Sequence, residues 1–282
     1  MAHYLWDMSQ LVYLNGRLIK AKEARASIIS PGFLYGEGLF ETMRAYHGDI
    51  FALDRHIERL IRGARLLGLK LKWSKSKIKK AVLITLKASG LNNAYVRLNL
   101  WKEDKGSSLA CFVKRLQIYP LGFIKSGAKA VISDMRVNEL SPLCRIKSFN
   151  FLLYRLARQK AQGKNADEAI LLNSKGYVAE GAHSNIFIVR GNCLITPSLE
   201  SGCLAGITRS IVLELAQKES IDIKERLIKP RELFNADEAF LTNSLIEIMP
   251  IAKLDAKPIG SGSIGKITEL LLSKYREKTK AF

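Results

Sequence analysis

The sequence predicts an α+β fold in two domains: an N-terminal α/β layer over residues 1–120, a linker over 121–128, and a C-terminal domain over 129–282 that joins helices to a barrel-like antiparallel sheet. Three observations carry this expectation. A chain of 282 residues that is 48% hydrophobic can bury two ordinary cores. In its first part, apolar residues at three- and four-residue steps interleave with strand-like runs. In its second part, short strand-like runs follow one another with turn residues between them, and the stretch from Pro120 to Ala128 gathers Pro, Gly and Ser where a linker fits.

Each element follows from its local pattern. Leu11 to Leu14 and Arg17 to Ile19 flank Asn15-Gly16, a two-residue hairpin turn. Leu39 to Tyr46 reads as a strand. Ile57, Leu60, Ile61, Ala64 and Leu67 recur at helical spacing, and Ile78 to Leu86 continues as a second helix. Strands are expected at Ala94 to Trp101, Leu109 to Tyr119 and Ala130 to Val137, and a helix runs from beyond Lys147 to about Gln162. Ala169 to Leu172, Tyr177 to Ala179, Asn185 to Val189 and Cys193 to Thr196 are short strands split by Ser174-Lys175-Gly176 and Gly191-Asn192, the turn chemistry of antiparallel pairs. A helix from Thr208 to Lys218, a strand from Glu238 to Thr242 and a helix from Ile264 to Tyr275 complete the chain.

Composition removes several function classes. No apolar run approaches the roughly 20 residues that span a bilayer, and Met1 to Asp7 lacks the basic start and apolar stretch of a secretory signal, so a cytoplasmic location is expected and no membrane partner. Cys111, Cys144, Cys193 and Cys203 form no Cys-x-x-Cys pair, and with four histidines no metal site is expected. The net charge of +19 raises a nucleic-acid reading, but Lys70, Lys72, Lys75, Lys77, Lys79, Lys80 and Lys87 alternate with apolar residues as a solvated helix face does, without stacking aromatics. Gly260 to Gly265 fits a dinucleotide-binding pattern, yet too little chain follows it for the required βαβ unit.

The chemistry concentrates in ordered runs: Ser141-Pro142-Leu143-Cys144-Arg145-Ile146-Lys147-Ser148-Phe149-Asn150, then Glu180-Gly181-Ala182-His183-Ser184-Asn185-Ile186-Phe187, then Leu204-Ala205-Gly206-Ile207-Thr208-Arg209. Upstream stand Arg55-His56-Ile57-Glu58-Arg59-Leu60 and Tyr95-Val96-Arg97, and downstream Leu241-Thr242-Asn243-Ser244. By residue type alone, Lys147 reads as a surface charge, Glu180 as the end of a strand, Thr208 as a helix cap, Arg59 as a solvated helix residue, and Tyr35, Tyr95 and Arg97 as packing or solvent-facing positions. Taken together, the runs resemble the class IV (fold type IV) pyridoxal-phosphate enzymes, which include branched-chain and D-amino-acid aminotransferases and 4-amino-4-deoxychorismate lyase.

That resemblance implies pyridoxal 5'-phosphate as cofactor, small amino-acid and 2-oxo-acid substrates, and a homodimer. It implies Lys147 as the Schiff-base lysine and catalytic proton carrier, and Glu180 as the carboxylate that keeps the pyridine nitrogen protonated so that the ring acts as an electron sink. Gly206, Ile207 and Thr208 offer backbone donors at the positive end of a helix for the phosphate, joined by Arg59 and by Thr242 or Ser244. Leu204, Ser184, Asn185 and Asn243 complete the implied cofactor set, and Tyr35, Phe40, Tyr95 and Arg97 the substrate set. An inward-facing Arg97 would match a substrate carboxylate. The sequence departs from the branched-chain enzymes at Asn150-Phe151, where they have Asn-Tyr, and carries Gly36-Glu37-Gly38 in place of Gly-Asp-Gly. Transaminase and lyase therefore both remain as readings, ahead of a cofactor-free nucleic-acid-binding protein.

Overall fold

Leu11–Leu14 (β1) and Arg17–Lys20 (β2) pair antiparallel across Asn15 and Gly16, whose φ values of 48° and 108° are those a two-residue hairpin turn demands. The computed structural model describes residues 10–117 and 121–280. The expectations that fall on Met1 to Asp7, on Tyr119 and on Pro120 lie outside the described residues. Two compact units emerge: one contains the chain through Gln117 together with Ile146–Asn150, the other the chain up to Arg145 and again from Phe151.

The first unit continues with Pro31–Leu34 (α1), Gly38–Tyr46 (β3), Asp49–Ile50 (β4), Leu53–Leu66 (α2), Lys75–Ser89 (α3), Ala94–Glu103 (β5) and Gly106–Arg115 (β6). Its six strands lie in the order β2-β1-β6-β5-β3-β4, each neighbouring pair antiparallel. Leu39, Met43 and Ala45 of β3, with Val96, Leu98 and Leu100 of β5, bury against Ile57, Leu60 and Ala64 of α2 and Ile78, Val82 and Leu86 of α3. Strand alternation leaves Phe40, Thr42 and Arg44, and Tyr95, Arg97 and Asn99, on the opposite face. Part of the basic surface is spent between helices, Lys75 pairing with Glu58 at 2.7 Å and Lys79 with Asp54 at 2.8 Å. Solvent screens exposed pairs of this kind, so they add little to stability.

The second unit comprises Leu121–Ser126 (α4), Ala128–Val137 (β7), Leu152–Gly163 (α5), Glu168–Asn173 (β8), Val178–Gly181 (β9), Asn185–Arg190 (β10), Cys193–Pro197 (β11), Ile207–Lys218 (α6), Asp222–Arg226 (β12), Pro230–Phe234 (α7), Glu238–Asn243 (β13), Glu247–Leu254 (β14), Lys257–Pro258 (β15) and Lys266–Lys280 (α8). Its sheet runs β12-β11-β10-β13-β14-β7-β8-β9, with β15 on β14, and curls into a half-barrel. The turn chemistry foretold antiparallel pairs, and β8–β9 and β10–β11 are such pairs. The sheet as a whole is mixed, because β7–β8, β11–β12 and β14–β7 are parallel. Two of these follow from α5 and α6, which are crossover connections and bring the chain back in the same direction. Alanines 157 and 161 of α5 pack on Ala169 and Leu171 of β8, and Phe187 and Phe240 stack at 4.9 Å between β10 and β13. Among the described residues no helix is long and apolar enough to cross a membrane.

Candidate active site

The backbone beneath Lys147 is fixed by hydrogen bonding to β3. Phe40 N–H donates to the Lys147 carbonyl at 2.8 Å and Phe149 N–H to the Gly38 carbonyl at 2.8 Å, so Ser148 pairs antiparallel with Leu39. This approach requires glycine at 38, since a Cβ there would meet Phe149 Cδ2 at 2.4 Å. Asn150 closes the clip: its Nδ2 donates to the Gly36 carbonyl at 3.1 Å and to Ser148 Oγ at 3.0 Å. The Lys-Ser-x-Asn spacing thus sets the lysine's main chain in place.

Lys147 Nζ lies 4.7 Å from the centroid of the Phe40 ring, and the Arg97 guanidinium lies 3.5 Å from the same centroid. Three residues expected from sequence therefore meet in the first unit. Arg97 Nε donates to Asn99 Oδ1 at 2.8 Å, and burial pushes the pKa of Arg97 down, with Tyr95 and Glu41 opposing. Tyr95 shares this strand face and carries Lys114 Nζ 4.6 Å from its ring. Tyr35 is 68% exposed beyond the end of α1. Glu37, at the departure from Gly-Asp-Gly, accepts from Lys102 at 2.6 Å.

Arg59 is not a solvated helix residue. Its Nε and Nη2 donate to Glu41 Oε1 and Oε2 at 2.8 and 2.6 Å, and His56 Nδ1 sits 2.7 Å from Oε2. Burial pushes the Glu41 carboxyl up, but the charge and hydrogen bonds of Arg59, joined by His56, bring it down to about 2. Burial pushes His56 down, against the pull of Glu41 and with the help of the Arg59 and Lys147 charges, so the imidazole is neutral and Nδ1–H donates. Sequence reasoning missed Glu41 and His56. The signal was an acid at alternate spacing between Leu39 and Met43, on the apolar side of β3.

The second unit gathers the carboxylate and the helix terminus. Glu180 is buried at the end of β9, and its Oε2 accepts the Leu204 N–H at 3.0 Å. Tyr154 of α5 stacks on Phe151 at 4.9 Å, and burial together with the Glu180 charge pushes its phenol pKa up, which keeps it a proton donor. Asn185 Nδ2 donates to the Leu204 carbonyl at 2.8 Å and so pins the loop entering α6. Gly206 is the N-cap of α6 with no side-chain cap, followed by Ile207 and a buried Thr208. Arg209, a third residue without an assigned role in the sequence reading, fastens this turn: Nη2 donates to the Pro197 carbonyl at 2.9 Å and to Glu225 at 2.6 Å.

The remaining expected residues divide by what they touch. Thr242 is 1% exposed and its Oγ1 meets no hydrogen-bond partner among the described residues. Ser184 Oγ donates to Glu168 at 2.9 Å, which commits it to a buried acid. Asn243 shapes the turn after β13, with Oδ1 accepting from Leu245 and Ile246 N–H and Nδ2 donating to the His183 carbonyl; Ser244 is half-buried in that turn.

Pyridoxal phosphate combines an aldehyde, a basic ring nitrogen and a phosphate dianion. The donor set of the second unit suits the last two: a buried carboxylate, backbone N–H groups at an uncapped helix start, and a buried hydroxyl lacking a partner. The cradle is tight, because a Cβ on Gly206 would lie 1.9 Å from Asn185 Oδ1. In the first unit Lys147 supplies the amine that an aldehyde requires.

Comparison with known proteins agrees. The chain is 36% identical over 282 residues to the aminodeoxychorismate lyase of Bacillus subtilis, covering 96% of this chain and 95% of that protein. It is 33% identical over 267 residues to the D-alanine aminotransferase of Bacillus licheniformis, covering 92% and 93%. The branched-chain aminotransferase of Thermoproteus uzoniensis, solved with norvaline, superposes with a TM-score of 0.90 at 34% identity over 97% of this chain and 95% of that one. Residues 38–254 match the family described as amino-transferase class IV, and the chain belongs to the class IV aminotransferases.

Proposed function

We propose that this chain is a pyridoxal-phosphate-dependent transaminase that moves an amino group between an amino acid of branched-chain or D-amino-acid type and a 2-oxo acid. The observation that carries the reading is Lys147, clipped by its main chain to β3, its amine and the Arg97 guanidinium each against the ring of Phe40, in a chain of this family. When bound, the cofactor supplies a carbonyl that takes up the amino group and a ring that accepts the electron pair left as the Cα proton departs.

The residues have distinct tasks in this reading. Lys147 Nζ accepts the substrate's Cα proton and returns it on the other side of the exchange. Arg97 pairs with a substrate carboxylate, while Phe40 presents an apolar wall. Glu180, with Oε2 held by Leu204 N–H, keeps a proton on the ring nitrogen. The amides of Gly206 to Thr208, the Thr242 hydroxyl and Arg59 hold the phosphate.

The run Ile28, Ile29, Phe33, Leu34 and Tyr35 is exposed in the first unit and supports a homodimer formed through this face. Its four free cysteines, three of them buried, suit the reducing cytoplasm. A second reading, a lyase releasing 4-aminobenzoate and pyruvate from 4-amino-4-deoxychorismate, is favoured by the identity to the B. subtilis enzyme and by Phe151 where branched-chain enzymes carry tyrosine. Assaying branched-chain and D-amino donors with 2-oxoglutarate, beside 4-amino-4-deoxychorismate alone, separates the two. Glutamate formation supports the transaminase; 4-aminobenzoate without amino transfer replaces it with the lyase.

A further inference from the structure

We propose that Glu41 and His56 are positioning residues for Arg59, and that the His-x-x-Arg spacing of α2 serves to grip one buried carboxylate. The inference rests on Arg59 acting as a phosphate ligand, as proposed above. Glu41 is 0% exposed on the apolar side of β3 between Leu39 and Met43. A carboxylate in such surroundings is costly unless it is paired and hydrogen-bonded on both oxygens. Here Oε1 accepts Arg59 Nε, and Oε2 accepts both Arg59 Nη2 and His56 Nδ1. His56 and Arg59 stand three residues apart on α2, so both reach the same side of the helix.

The arrangement has a consequence for what Arg59 offers. Two parallel N–H···O bonds fix the plane of the guanidinium, and Glu41 balances its charge inside the core. Arg59 is thereby an oriented hydrogen-bond donor with its rotamer already set, so an anion that binds it does not bear the cost of ordering a long side chain. His56, donating from Nδ1, occupies the lone pair on Oε2 that Arg59 does not take and holds the carboxylate in the guanidinium plane.

A purely structural role, tying β3 to α2, predicts something different, and a double-mutant cycle separates the two. Apoprotein of wild type, E41Q, R59Q and E41Q/R59Q is titrated with pyridoxal phosphate, and the melting temperature of each is recorded. We expect E41Q to weaken cofactor affinity about tenfold, R59Q to weaken it at least as much, and the double variant to match R59Q alone. Should E41Q fail to fold, H56N, which keeps an N–H donor, and H56L, which has none, carry the same test, with affinity retained by H56N and lost by H56L, and with H56L adding nothing to R59Q. Additive losses, or wild-type affinity in E41Q and H56L, overturn the proposal while leaving the cofactor reading intact. Wild-type affinity in R59Q overturns the proposal through Arg59's own role, and wild-type protein that takes up no cofactor overturns the proposed function with it.

Discussion

In the first unit the buried acid Glu41 is fixed by an arginine and a histidine within a core, whereas in the second the buried acid Glu168 is held by backbone amides and a hydroxyl. Two buried acids show the difference. Glu41 has a full arginine and a histidine on it, and its carboxyl is brought down to about 2 against the push of burial. Glu168 of β8 has the Ser184 hydroxyl and the Ala169 and His183 amides, with Arg158 acting only through its charge, and burial wins, pushing its carboxyl up. Equal burial gives opposite shifts because charge-assisted pairs offset desolvation where neutral donors do not. Of the two acids, Glu41 is accordingly the more vulnerable to removal of a charged partner.

The largest expected effect is K147A, which should cut turnover about 10⁴-fold or more by removing the proposed proton carrier while the far-UV circular dichroism and melting temperature stay as in wild type. Acid comes next. Because folding lowers the Glu41 carboxyl from 4.5 to about 2, its contribution, on the order of 3 kcal/mol, is complete above pH 4.5 and is lost as the pH falls towards 2. His56, lowered from 6.5 by burial, acts in the same direction and begins to cost stability as the pH drops below its unfolded value. Denaturant midpoints measured against pH should therefore fall with acid, and E41Q should flatten the lower part of that curve.

In the second unit, E180Q should slow Cα proton removal about 10²-fold, seen as a lower single-turnover rate, with cofactor still taken up. G206A drives a methyl group into Asn185 and should weaken cofactor affinity about tenfold, at a cost of about 1–3 kcal/mol in overpacking. The smallest change is E168Q. Folding raises the Glu168 carboxyl, so keeping it ionised costs stability as the pH rises through its folded value. Replacing it should shift the melting temperature by the equivalent of about 1 kcal/mol or less, upwards at neutral pH, and a strong drop there would break the contrast with Glu41.

Much of this was legible in the sequence. Ordered motifs singled out Lys147 and Glu180 as candidates, and alternation or helical spacing located most elements within a few residues. What escaped had physical causes. Strand β12, Asp-Ile-Lys-Glu-Arg, carries four charges in five residues because it is the edge strand of its sheet and both faces can stay wet. Strand β14 hid behind Pro250, which breaks a ladder in most central strands. It is tolerated because β14 changes partner there, pairing with β13 through Pro250 and with β7 from Ile251. The parallel pairings and the grip of α2 on Glu41 join residues distant in the chain, which local periodicity does not register. Gly206 and Gly38 were readable as glycines, while the neighbours that exclude a Cβ at each became visible only in three dimensions.

The proposed chemistry stands on one amine. Borohydride reduction of the purified protein loaded with pyridoxal phosphate, followed by peptide mapping, should place a single pyridoxyl group on Lys147. A label on another lysine, or no label on protein that has folded and taken up the cofactor, would contradict it.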